Sequence, residues 1–386
     1  MEKSKRIFCV DLLRGLDIFY LLVISSSILM PGVFMVWPLE SESAKAFWLH
    51  SLSAFASPGH VPTGFGILDF TQPLFIFVTG VSASLAMSKF VKTDGIDLSA
   101  FWRRLVRRTL MLWTLGALIR GILSFRLFTF SGSVASCCLY SDTLQTIAVA
   151  YFAASVGLLL RSPLLRLGLG LAFVAGTAVV MALCGDYTQH GNAARIIEEA
   201  VYSRMGGKAK DFCYLLTTFT WAGMGILASL AGDVLKSESS PWTRFRSLAV
   251  AGLVSCVLGW SLSVRIPSIR FIYTVSFVFQ TMGLSTLLLA ALYVVTDIWK
   301  VRRGTWVLML FGQCSLAAWM TCNFFGDALL SVVDKLTVGV PTLLGGETYK
   351  PLVASVVRVA LLIWVVWTWR RLREAKVRRR WERAWH

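Results

Sequence analysis

Apolar runs long enough to cross a bilayer recur from one end of this sequence to the other, separated only by short polar or basic pieces. A spanning helix needs roughly 20 residues. Ten stretches meet that length, at about 10–32, 66–88, 105–127, 142–160, 167–184, 212–232, 247–264, 273–296, 305–330 and 352–369. Of 386 residues, 56% are hydrophobic and 15% charged, whereas a soluble domain carries roughly 25% charge. The expectation is an all-α polytopic membrane protein of about ten transmembrane helices. The spans leave no room for a separate soluble domain, so residues 1–386 read as one. The first run is expected to be retained: after Lys3, Lys5 and Arg6 it carries Asp11, Arg14 and Asp17, and it lacks a small-residue cleavage site.

Charge sets the expected orientation. Most of the 38 lysines and arginines fall in alternate connections: at the start, in 89–108, 161–166, 236–246 and 300–303, and from Arg370 on. Cytoplasmic loops are enriched in these residues, so both termini are placed in the cytoplasm, with the chain multi-pass in an inner (plasma) membrane. The net charge of +17 is thus first a topology signal. Spread over loops, the basic residues do not suit nucleic acid, while the tail RRLREAKVRRR suits the anionic lipid of the bilayer. The eight cysteines show no C-x-x-C, and only Cys137 and Cys138 are adjacent, in an outside loop. His50, His190 and His386 have no partner at metal-ligand spacing, so no metal is expected.

Charged side chains inside a span cost about 2.5–3.5 kcal/mol each on insertion scales. Asp11, Arg14 and Asp17 are spaced three apart, which puts them on one side of a helix with the arginine between two carboxylates. Such a group serves as an ion cluster at the cytoplasmic mouth, as part of a polar cavity, or as both. Between Ser57 and Gly80 the chain places His60 in a Gly/Pro-rich loop and Asp69 at the mouth of the second span. Histidine exchanges protons near neutrality and suits general base catalysis; the spacing alone fits better a loop histidine without a task and an aspartate that caps a helix. Gly80 and Ser84 fit close helix packing. Polar groups recur at helical spacing in three further places: Asp142 with Gln145, Tyr273 with Ser276 and Gln280, and Gln313 with Ser315 and Asn323. Hydrogen bonds between helices, worth about 0.6 kcal/mol each, explain these equally well.

The opening RIFCVDLLRGLDIF resembles the motif R-x-x-S-L-D-x-x-R-G of the heparan-α-glucosaminide N-acetyltransferase family and its bacterial relatives. HVPTGFGILDFTQPLFIFVTGVSASLAM is similar to that family's H-x-x-W-N-G-x-x-x-x-D-x-x-F-P-x-F-x-F-x-x-G-x-S. In the same order, DTLQTIAVAY resembles G-V-L-Q-R-I-A-x-x-Y, IPSIRFIYTVSFVF resembles P-x-x-K-x-x-W-T-x-S-F, and FGQCSLAAWM resembles G-x-N-S-L-x-x-Y. The chain departs from the family at Thr146 (Arg there), Arg270 (Lys), Tyr273 (Trp) and Cys314 (Asn). Between His60 and Asp69 it is one residue shorter and lacks the Trp-Asn pair.

The resemblance implies a ten-helix fold, acetyl-CoA as donor, a sugar or glycan acceptor outside and His60 as the catalytic histidine, either base or acyl carrier. Asp69 then orients His60 or stabilises its imidazolium. Gln145, Tyr273 and Ser276 become candidates for the donor or the developing oxyanion, and Asp11 with Arg14 for the donor's cytoplasmic side. Arg103 and Arg107 are further candidates for the CoA phosphates. A homodimer stays among the alternatives. The rival class is an amino-sugar transporter or permease; against it, the sequence shows neither two similar halves nor paired broken helices.

Overall fold

The computed structural model describes residues 7–25, 67–92, 95–118, 143–188, 191–204, 215–336 and 350–385. Apart from a two-residue antiparallel pairing of Val91–Lys92 with Gly95–Ile96, the regular structure of these residues is helical. In chain order the helices are α1 (Phe8–Phe19), α2 (Thr71–Met87), α3 (Leu98–Ala117), α4 (Thr143–Gly157), α5 (Pro163–Cys184) and α6 (Ala193–Arg204). They continue with α7 (Thr217–Lys236), α8 (Pro241–Ser263), α9 (Val275–Tyr293), α10 (Trp306–Gln313), α11 (Ser315–Leu336) and α12 (Lys350–Trp385). Wider π turns extend α1 over Tyr20–Ser25 and α9 over Val294–Ile298.

Among the described residues, five helices are long and apolar enough to cross a membrane: Thr71–Phe90, Pro163–Cys184, Thr217–Lys236, Pro241–Ser263 and Val275–Ile298. Each falls on one of the expected spans. A sixth, α4, is apolar but shorter. Over the expected third span, α3 begins early enough to include Arg103, Arg104, Arg107 and Arg108. The first expected span begins in α1 and its π turn, and its remainder lies outside the described residues.

The chain divides into two compact units, residues 54–298 and residues 1–53 with 299–386. In the first, α7 lies against α2, α4 and α5, and α8 packs along α9. Burial separates centre from flank: 67% of α2's span, 56% of α7's and 61% of α9's is buried, against 22% for α5 and α8. The outward residues of α8 include Val250, Leu253, Val254 and Val257, which suits a face turned to lipid. Small residues let the central backbones touch. A Cβ on Gly80 would strike the carbonyl of Gly225, and one on Gly225 would meet the carbonyl of Ala150. Caps fix where helices begin: Asp97 accepts from the Ala100 N–H, Ser162 from Leu165 and Ser240 from Thr243, the last two followed by proline at the first helical position.

In the second unit α1 packs against α10. Gly15 and Gly312 make the approach possible, since a Cβ on either would strike the other helix's backbone. The expected ninth span is not one helix but two, α10 and α11, parted at Cys314, whose φ of −121° and ψ of 26° leave the helical region. Such an interruption frees carbonyls that lipid cannot satisfy. Here the Gly312 carbonyl accepts from Arg14 Nη1 at 3.5 Å and the Gln313 carbonyl from Arg373 Nη1 at 3.4 Å. The final helix, α12, runs past the expected tenth span through the basic tail.

Candidate functional site

The connection between α8 and α9, residues 264–274, folds inward. The Thr274 hydroxyl accepts from the Ile269 N–H at 3.0 Å, and the Thr274 N–H donates to the Ile269 carbonyl at 3.3 Å. Ser276 Oγ donates to the Pro267 carbonyl at 3.3 Å, and Ser268 Oγ donates to Gln280 Oε1 at 2.7 Å. Tyr273 sits at φ +49°, a left-handed conformation that a bulky side chain adopts only where its surroundings hold it. Trp221 and Phe277 do so, each meeting the Tyr273 ring edge-on, with centroids 5.8 and 5.5 Å away. Ile269 and Ile272 are buried in a cluster with Met181, Leu216, Ala193 and Ala194. The last two come from α6, a helix in a stretch that the sequence suggested only as an outside connection. It is capped by Asn192 Oδ1, which accepts from the Arg195 N–H at 2.8 Å.

The purpose of this fold is visible in Arg270. With its neighbours pinned, the guanidinium meets Asp69: Nη1 lies 2.9 Å from Oδ1, and the two side chains are 8% and 9% exposed. Asp69 belongs to the short turn Ile67–Phe70 that leads into α2. Two residues inside α2, Gln72 Nε2 donates to Thr146 Oγ1 of α4 at 3.5 Å. The starts of α2, α4 and α9 thus share one end of the bundle and bring polar groups to it.

The residues expected from sequence are placed as follows. Asp69 is buried at this end, in an ion pair with Arg270. Gln145 is fully buried, with its side chain against Gly116 of α3. Tyr273 is wedged between aromatic rings, and the Ser276 hydroxyl is engaged within the 264–274 turn. In the other unit, Arg14 Nη1 lies 3.4 Å from Asp11 Oδ1 and also reaches the broken helix. The expected arginine between two carboxylates is therefore satisfied on one side: Asp17, 1% exposed, accepts no hydrogen bond. Arg103 and Arg107 are exposed on α3. His60, Asp142, Cys137, Cys138, His50, His190, His386 and the side chain of Asn323 lie outside the described residues.

Two groups were missed in sequence. Arg270 drew notice only as a substitution, not as the partner of Asp69. At the opposite end of the bundle, Asp233 accepts from Ser84 Oγ at 2.6 Å and from Lys236 Nζ at 2.9 Å, and pairs with Arg166. Ser84 therefore does more than permit close packing. The available signal was a lone acidic residue near the end of an apolar run. Beyond α5, the Thr188 hydroxyl and N–H bond to exposed Asp186 at 2.6 and 2.8 Å and hold its carboxyl below its ordinary value.

A bundle of helices of membrane-crossing length, closed by ionic contacts at both ends, defines a helical membrane protein. No family model matches the sequence, and no curated protein matches it.

Proposed function

We propose that the chain is a ten-span inner-membrane acyltransferase with both termini in the cytoplasm. It moves an acetyl group from cytoplasmic acetyl-CoA to an amino group or hydroxyl of a sugar on the far side. The observation that carries this reading is the Asp69–Arg270 pair, which fastens together two of the segments that carry the family resemblance although they are far apart in the chain. The Gln72–Thr146 bond adds a third such segment. The remaining two meet in the other unit, where Arg14 reaches the Gly312 carbonyl. The resemblance therefore coincides with buried polar contacts rather than with hydrophobic filler.

In direct transfer the acceptor atom attacks the thioester carbonyl and its proton passes to His60. The C–S bond then breaks, and CoA leaves as a thiolate that takes up a proton. In the two-step route a ring nitrogen of His60 holds the acetyl group between donor and acceptor. Asp69, fixed by Arg270, supplies negative charge to steady the histidine's positive form. Tyr273 and Gln145 are the groups offered to the oxyanion.

The test is transfer of radiolabelled acetyl from acetyl-CoA to glucosamine-type acceptors by the purified full chain. His60→Ala should lower the rate about 10²–10⁴-fold while CoA binding persists. Failure of the wild type across a broad acceptor panel, with no CoA binding, removes this reading. A second reading, an amino-sugar transporter, is favoured by the interruption at Cys314, because discontinuous helices line the sites of secondary transporters. Uptake of labelled N-acetylglucosamine into proteoliposomes without acetyl-CoA would select it.

A further inference from the structure

At the end of the larger unit opposite Asp69, a cavity of about 410 Å³ opens between the start of α5, the end of α7 and the first turns of α8. Its walls divide by chemistry. Leu164, Leu167 and Leu230 make an apolar side, while Asp233, Ser237 and Arg244 are among the polar residues on the other. Leu164 and Leu167 are themselves exposed, at 77% and 40%, so the apolar wall continues onto the outer flank of α5.

The polar side favours an anion. Asp233 is held by two cations, Arg166 and Lys236, which leaves that group one positive charge. Arg244 adds a second. Its Nη1 reaches the Tyr293 hydroxyl at 3.5 Å, but its Nε is buried without a hydrogen-bond partner. A guanidinium that lines a cavity and makes one long hydrogen bond to the chain has donors left for an acceptor there. Of the three helices that border the cavity, α5 and α8 start there with a Ser-Pro cap, and their two positive ends outnumber the one negative end of α7.

We infer that this cavity holds the phosphate headgroup of an anionic membrane phospholipid, with an acyl chain laid along Leu164, Leu167 and Leu230. A soluble phosphate would leave the apolar wall unused, and a zwitterionic lipid would leave the positive charge without its match. Basic pockets between spanning helices recognise lipid headgroups in this way, and Arg244 would do so by a charge-assisted hydrogen bond.

The experiment is native mass spectrometry of the full chain, released from detergent after incubation with phosphatidylglycerol, phosphatidylcholine or glycerol 3-phosphate. Phosphatidylglycerol should be retained about tenfold better than phosphatidylcholine, the worth of one charge-assisted contact. Arg244→Gln should abolish that preference. Arg246→Gln, which removes the same charge two residues on from an exposed position outside the cavity, should keep it. If Arg244→Gln folds poorly, Ser237→Leu, which narrows the cavity while keeping every charge, must lower retention as well. Equal retention of the two lipids overturns the inference. So does equal loss in both arginine variants, undiminished retention in Ser237→Leu, or binding of glycerol 3-phosphate as tight as that of the lipid.

Discussion

Both ends of the larger unit set a carboxylate against an arginine, yet the two arrangements are built on different terms. Asp69 and Arg270 are 9% and 8% exposed and close directly on each other. Asp233 is 25% exposed and shared among Ser84, Lys236 and Arg166. In the first arrangement both charges are withdrawn from solvent, so removing either leaves a buried charge short of an opposite one. In the second, solvent and alternative donors soften any single loss. The buried pair joins segments that the chain brings together from a distance, whereas the half-open network fastens helix ends that already pack along their length. Polar groups of the first kind mark where a membrane bundle does something other than hold itself together.

The largest effect should come from breaking the buried pair. Arg270→Ala removes the buried cation beside Asp69 and should destabilise the purified protein by about 3–5 kcal/mol, read as a fall in its thermal unfolding midpoint. Adding Asp69→Asn in the same chain should restore much of that loss; a double variant no better than Arg270→Ala would contradict the pairing. A packing change at the seam between the two ends comes next. Gly80→Leu must drive a side chain into the Gly225 carbonyl and should cost about 1–3 kcal/mol by the same measurement. Lys236→Ala, at the open end, should cost less than about 1 kcal/mol, and a cost equal to that of Arg270→Ala would erase the distinction drawn here.

The smallest effect separates burial from location. Asp186 lies beyond α5, at the Asp69 end, but is exposed. Its folded-state carboxyl is held below the ordinary 3.8, first by the Thr188 hydroxyl and then by the Thr188 N–H. The unfolded chain therefore takes up the proton first as pH falls. The contribution is complete above 3.8 and is lost only as pH drops through the lowered folded value. Protection of the Thr188 amide relative to its intrinsic exchange rate should stay unchanged from pH 7 to about 5 and fall only in stronger acid; a fall near neutrality would contradict the assignment.

Much of the fold could be read from the sequence because hydropathy acts locally. An apolar run of sufficient length has few alternatives to a spanning helix, and α2, α5, α7, α8 and α9 lie where such runs lie. What escaped depends on distance or on balance. Asp69 stood out at the mouth of an apolar run and Arg270 only as a departure from the family motif, and nothing local says that they meet. The α6 helix mixes Ala193, Ala194 and Tyr202 with Arg195, Glu198 and Glu199, so no apolar run announces it. The parting of α10 from α11 carries no proline; it falls next to Gly312, where α1 comes too close for a side chain. Asp233 and Lys236 were overlooked because charges at span ends are usually read as topology.

The most direct test of the central claim, that the Asp69 end carries the chemistry, is acetyl transfer from labelled acetyl-CoA by two variants side by side. Asp69→Asn keeps the shape of the side chain and should lower the rate at least about a hundredfold. Lys236→Ala, at the other end, should stay within about twofold of the wild type. Equal rates in the two variants, whether both low or both unchanged, would contradict the account.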